Sequence, residues 1–254
     1  MSIKGKHLLS FVSLVLATIL FAASTTTKKA TTQLIIPVFD YSPTSPVAPG
    51  SAGLKIAFFK PSYSGNFEYA NRSPFKQFKN SMSVDFEEIL SSRGYIIKGP
   101  YEAYDFMTYS DKNECELGLF IDLDLNIQQT SGGWKVNPGF GSYTVGNQIY
   151  QGTLDLSGKI SIYVRETFTK QQLLVKSVPV PQYDLHVKSE GKYDIGSTGI
   201  PVDDPGIHNP ISKALAEFYK TTMQQAWDLL DKDELLHIKK QVPQIRKEAG
   251  FIKS

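Results

Sequence analysis

The stretch Leu117-Gly118-Leu119-Phe120-Ile121-Asp122-Leu123-Asp124-Leu125-Asn126-Ile127 decides the fold. Leu117, Leu119, Ile121, Leu123, Leu125 and Ile127 share one parity, whereas Asp122, Asp124 and Asn126 share the other. A period of two places the first set on one face of a strand and the second on the opposite face. A strand with one apolar and one wet face belongs to a sheet covered on one side only. A second alternating run follows, with Leu154, Leu156, Ile160, Ile162 and Val164 in and Thr153, Asp155, Lys159, Ser161 and Arg165 out. After the polar turn Thr169-Lys170-Gln171 comes a third run, Leu173 to Val180, where Pro179 and Pro181 are expected to stop the pairing. Three long strands in succession predict an antiparallel meander.

Upstream, Leu54-Lys55-Ile56-Ala57-Phe58-Phe59-Lys60 reads as a buried strand. Ser73-Pro74 is a helix start, a capping residue followed by proline at the first helical position. Phe75, Phe78, Met82, Phe86, Ile89 and Leu90 then form one helical stripe that Gly94 closes, and Tyr95-Ile96-Ile97 opens the next strand. This is a β-α-β unit. Residues 107–116 are polar, and Ser110 is placed to cap a single helical turn.

Downstream, residues 182–208 read as a long Gly/Asp/Pro loop, and Asn209-Pro210 repeats the cap-plus-proline signal. Ile211, Leu215, Phe218, Ala226 and Leu229 make a stripe flanked by Tyr219, Met223, Trp227 and Leu230, so the last long helix packs broadly on the sheet. A basic helical tail runs on from Asp233, interrupted by Pro243. The order β-α-β, β-β-β, α predicts an α+β fold. It is a two-layer sandwich whose mixed sheet is covered by helices on one face.

Three segments precede or make up this domain. Lys4 and Lys6 followed by the uncharged run Leu8 to Ala23 read as a signal peptide or an N-terminal anchor over residues 1–24. Residues 25–52, rich in Thr, Ser and Pro, read as a flexible linker. Its apolar patch, Leu34 to Phe39, is expected either to dock as an edge strand or to lie loose. Residues 53–254 form a single domain with its own core. The chain is thus expected to be exported, to the bacterial periplasm or to the outer membrane and cell surface. Membrane contact is expected only through the N-terminal segment, if that is uncleaved.

The single cysteine, Cys115, has no intramolecular partner and reads as a buried small hydrophobe. A net charge of +2 gives no footprint for nucleic acid. The histidines, His7, His186, His208 and His237, show no metal-ligand spacing, and no cofactor is expected. His208, after Asp203-Asp204-Pro205-Gly206, reads as a turn before a helix rather than a catalytic group. Asp122 and Asp124 lie about 7 Å apart on one strand face and read as solvated residues rather than an acid–base pair. Gly139-Phe140-Gly141 lacks the third glycine and the following helix of a phosphate cradle. With no catalytic set assembled, the chain reads as a non-enzyme.

Residues 130–149 read as a loop or hairpin tip in which Trp134, Phe140, Tyr143 and Tyr150 gather. They are either a binding surface, where flat rings gain contact area at little entropic cost, or a satellite core. Trp134, Lys135, Phe140 and Tyr143 are the candidate ligand-binding residues.

Ile56-Ala57-Phe58-Phe59-Lys60-Pro61, the helix end Glu87 to Tyr95, Thr108 to Asn113, Gly152 to Gly158 and Ile211 to Leu215 occur in this order. Together they resemble the neuraminyllactose-binding hemagglutinin family of bacterial surface lipoproteins, over residues 54–248. The resemblance implies a mixed α/β envelope protein acting as an adhesin or binding module, with host or surface glycans or other envelope proteins as partners. It also implies a sugar-contacting stretch between strands. The corresponding residues here, 128–139, carry Lys135 alone among lysines. A periplasmic accessory or assembly subunit without sugar binding is the alternative.

Overall fold

The alternating stretch is the start of a strand twice the expected length. The structure, a computed structural model, describes residues 32–43, 45–137 and 146–251, so the leader lies outside the described residues. The strands are β1 (Lys55–Phe59), β2 (Ser62–Tyr63), β3 (Ile96–Tyr101), β4 (Leu117–Asn137), β5 (Asn147–Glu166) and β6 (Gln172–Lys188). The helices are α1 (Phe75–Ser92), α2 (Tyr109–Glu114), α3 (Pro205–Leu229), α4 (Lys232–Lys239) and α5 (Val242–Glu248), with a 3₁₀ turn at Tyr104–Phe106. The sheet order is β3-β1-β4-β5-β6, with β2 added beside β4. β1 runs parallel to both β3 and β4, and β4, β5 and β6 run antiparallel, as the β-α-β unit and the meander require.

The main core joins Ile56, Phe58, Leu117, Leu119, Ile121 and Leu123 of the sheet to Phe78, Met82 and Phe86 of α1 and Ile211, Leu215 and Phe218 of α3. Each such side chain contributes about 1.5–3 kcal/mol on full burial. The opposite parity is wet along most of the sheet. At the β1 end, however, the 3₁₀ turn and α2 cover a small second cluster of Ala57, Phe59, Met107 and Cys115. Cys115 is therefore the buried hydrophobe expected of it.

Several boundaries and caps differ from expectation, each for a physical reason. β4 and β5 extend through residues 128–137 and 147–153, which lack alternation, because backbone pairing continues from Ser131↔Thr153 to Asn137↔Asn147. Gly132 and Gly152 make this possible. A Cβ at either would meet backbone oxygen of the facing strand, at 2.3 Å and 2.1 Å respectively. β6 runs past Pro179 and Pro181, because it is the edge strand and a proline facing outward loses no ladder bond. The helix expected at Asn209 starts at Pro205, capped by Asp204 through the Gly206 N–H, with Pro210 inside it. At α1, Ser73 makes no cap bond; its Oγ lies 2.8 Å from Nε2 of His208 instead. α2 is capped by a Thr108/Asp111 box rather than by Ser110.

The apolar patch before the domain docks on helices, not on the sheet. Asn209 accepts from Ile35 N–H at 2.8 Å and donates to Gln33 O at 3.1 Å. Phe39 and Tyr41 enter the main core, Phe39 edge-on to Phe78. The basic tail becomes α4 and α5, with Pro243 near the start of α5. Arg246 of α5 pairs with Glu166 at the end of β5, and both are buried.

Candidate functional site

The Asn137 end of β4, the Asn147 end of β5 and the Lys188 end of β6 carry the candidate site. The sheet parity places Trp134 opposite Tyr150 and Lys135 opposite Ile149. These two neighbours therefore point to opposite faces. Trp134 turns toward the helix side and is half-buried, edge-on to Tyr150 at 5.3 Å and to Tyr193 at 5.1 Å. Its indole N–H donates to Gly199 O at 3.0 Å. Tyr150 is fully buried, and its hydroxyl donates to Gln129. Tyr150 belongs to the main core, and Trp134 packs against it. Phe140 and Tyr143 lie outside the described residues.

Lys135 is exposed on the other face. There it borders a shallow hollow of about 440 Å³, together with Ser131, Gln151, Thr153, His186 and Lys188, over a floor of Gly132 and Gly152. The glycines that let the two strands approach closely also leave this floor without side chains. His186 sits opposite Thr153, with Nδ1 3.1 Å from its Oγ1. Two ammonium groups, an imidazole and several neutral polar groups thus share one open concavity. The ammonium groups donate to hydroxyl oxygens and attract an anionic group, while the serine, threonine and glutamine side chains both donate and accept.

The ordering of the loop behind this tip depends on one residue that the sequence reading did not single out. Asp204, besides capping α3, accepts from Glu190 N–H and Gly191 N–H, each at 2.8 Å, and from Tyr193 Oη at 2.9 Å. Tyr193 in turn packs on Trp134. Burial, reinforced by the Asp204 carboxylate, pushes the Tyr193 phenol upward, so it stays a donor. The only signal in the sequence is Asp-Pro-Gly before an apolar stripe, and Asn209-Pro210 carries the same helix-start pattern five residues on.

The other candidates have structural partners. Asp122 accepts from Ser64 Oγ at 2.6 Å, and Asp124 faces Lys159 at 3.7 Å, so each carboxylate is tied separately. His208 is buried between α1 and α3, with Ser212 Oγ 3.1 Å from Nδ1 and Ser73 Oγ on Nε2. Desolvation holds its pKa down, so it is a neutral cross-link between helices. Among the described residues no group of three or more His, Cys, Asp or Glu side chains is placed to hold a metal ion. Among them, too, no helix is long and apolar enough to cross a membrane.

The geometry defines an α+β sandwich in which the paired ends of β4 and β5 carry an open hollow with two lysines. No protein-family model matches the chain, and no curated protein matches it. Solved structures do. A neuraminyllactose-binding hemagglutinin homolog from Helicobacter pylori superimposes with a TM-score of 0.58 at 15% identity, covering 83% of this chain and 100% of that one. The two share a fold. A Xanthomonas campestris protein aligns over 84% of this chain and 99% of its own, at 9% identity and a TM-score of 0.37. The lipoprotein GNA1162 from Neisseria meningitidis aligns over 65% of this chain and 96% of its own, at 10% identity and a TM-score of 0.26. The last two scores are too low to carry an argument.

Proposed function

We propose that this chain is a non-catalytic bacterial envelope protein, exported by its N-terminal segment, whose tip is a surface-exposed binding module of the adhesin type. The observation that carries this reading is the open hollow on the helix-free face, where Lys135, His186 and Lys188 surround a glycine floor. An extended, polar, cationic concavity suits a hydroxyl-rich ligand with an acidic group, such as a sialylated glycan. The shared fold with the hemagglutinin homolog supports the choice of ligand class. Calorimetry with sialyllactose tests it. Saturable heat is expected at millimolar ligand, abolished by Lys135→Glu with Lys188→Glu. No heat from the parent protein discards the sugar reading.

A second reading, an assembly subunit that docks on other envelope proteins, is favoured by a different surface. The segment held by Asn209 leaves Ile36 70% and Val38 84% exposed, beside an apolar hollow of about 600 Å³ against Pro210, Lys213 and Ala216 of α3. Contiguous exposed apolar side chains of this kind mark contact surfaces. Protease shaving of intact cells separates the two. A surface module loses its tip, whereas a periplasmic subunit is protected.

A further inference from the structure

The carboxyl ends of the parallel strands hold a second concavity that the tip does not involve. β1 leads to α1 on the main core face, whereas its neighbour β3 leads to the 3₁₀ turn and α2 on the opposite face. In open parallel sheets the crevice between two such diverging connections is where ligands sit. The last link between the two strands is Lys60 N–H to Tyr101 O at 3.0 Å. Immediately afterwards the chain swings away to pair β2 with β4 through Ser62↔Asp122 and Tyr63↔Leu123. The gap that opens is a cavity of about 260 Å³, lined by Lys60 and the Ser62–Phe67 loop on one side, Glu102 after β3 on the other, and Lys79 of α1. With about 30 Å³ per water, it holds on the order of ten non-hydrogen atoms.

Its chemistry is asymmetric. Lys60 pairs with Glu102 at the mouth, and Glu87 of α1 also lies within electrostatic reach of Lys60. Lys79 is half-buried against the cavity and, among the described residues, makes no ion pair or hydrogen bond. An ammonium without a protein partner on the wall of a cavity is free to donate to an anionic group. One side carries two aromatic rings, Tyr63 and Phe67, whose centroids lie 4.8 Å apart. Tyr63 is held in place by donating to Phe75 O at 2.8 Å.

We propose that this crevice binds a small organic anion, a single carboxylate or phosphate group on a compact apolar stem. The anionic group meets Lys79, and the stem lies on the Tyr63–Phe67 wall. Benzoate and phenyl phosphate are the probes, with benzyl alcohol as the neutral control, titrated into the full chain and followed by calorimetry. Either anion is expected to bind saturably, and benzyl alcohol is expected to bind at least tenfold more weakly, since about tenfold or more is what one charge-assisted hydrogen bond supplies. Lys79→Met should lose that same factor, Lys79→Arg should retain most of the affinity, and Lys220→Met, on the exposed side of α3, should change nothing. Lys79→Gln replaces Lys79→Met if near-ultraviolet circular dichroism shows the latter to be unfolded. Saturable binding by neither anion, equal binding of benzyl alcohol, or full affinity in a folded charge-removed variant overturns the proposal.

Discussion

Arg246 donates through Nε to Glu166 Oε1 at 2.7 Å, joining the last helix to the end of β5 in a place where neither side chain meets solvent appreciably. The same guanidinium donates to Lys112 O and to Thr167 Oγ1, each at 3.0 Å. Glu166 also accepts from the Phe168 and Thr169 N–H groups of the β5–β6 turn. One ion pair therefore ties the C-terminal helix, the turn and the segment around α2 together. Arg246→Met leaves Glu166 as an uncompensated buried charge and is expected to cost about 3–5 kcal/mol in urea unfolding. Replacing both residues by apolar ones should recover much of that loss, and a double mutant as unstable as the single would disprove the account.

Asp85 on α1 accepts from Tyr219 Oη of α3 at 2.7 Å, and both groups are buried. Desolvation raises the Asp85 pKa, with the Tyr219 hydrogen bond only partly opposing it. The folded protein therefore keeps this proton to higher pH than the unfolded chain does. Stability falls as pH rises from the ordinary carboxylate value to the raised one. Asp85→Asn, which keeps the acceptor without the charge, should remove this slope. Relative to the parent, the variant should gain stability in urea titrations as pH rises above the ordinary carboxylate value.

Trp134→Ala removes ring contacts with Tyr150 and Tyr193 and the hydrogen bond to Gly199 O. For a half-buried aromatic with a satisfied N–H the expected loss is about 1–3 kcal/mol, below the cost at a fully buried site. Trp134→Phe should recover part of it. A change in ligand affinity with unaltered stability would instead restore the indole to the role of an exposed platform.

Cys115 is buried in the small cluster, and desolvation pushes its thiol up to about 11. The thiolate is the reactive form, so the folded protein should not react with a chromogenic disulfide at pH 8. One equivalent should react after unfolding in guanidinium. Rapid labelling of the native protein would place the thiol at the surface.

The layers and the strand directions were legible because they are written in periodicity. Leu117 to Ile127 could alternate only as a strand with one dry face, and the stripe from Phe75 to Leu90 only as a packed helix. Boundaries failed where long-range bonds replace local pattern. Nothing near Gln128-Gln129-Thr130-Ser131 says strand; the facing backbone of β5 does. Asn209 looks like a helix cap, yet it is spent on Gln33 and Ile35, and Asp204 takes the cap while gathering a distant loop. The tip was found from its composition, but only pairing register separates Trp134 from Lys135. The crevice was not legible, because Lys60, Lys79 and Glu102 line one cavity only once β1, β3 and α1 are assembled.

The prolines of β6 have a consequence for the molecule among its own copies. β6 is the outer strand of a long sheet, a template on which another chain's strand would add. Pro179 and Pro181 remove two donors from that rim, and Lys176, Asp184 and Lys188 add charge along it. Zippering of neighbouring sheets is thereby blocked on this side. The chain can thus keep a long sheet without adding strands edge to edge, and its contacts are directed to faces rather than to that border.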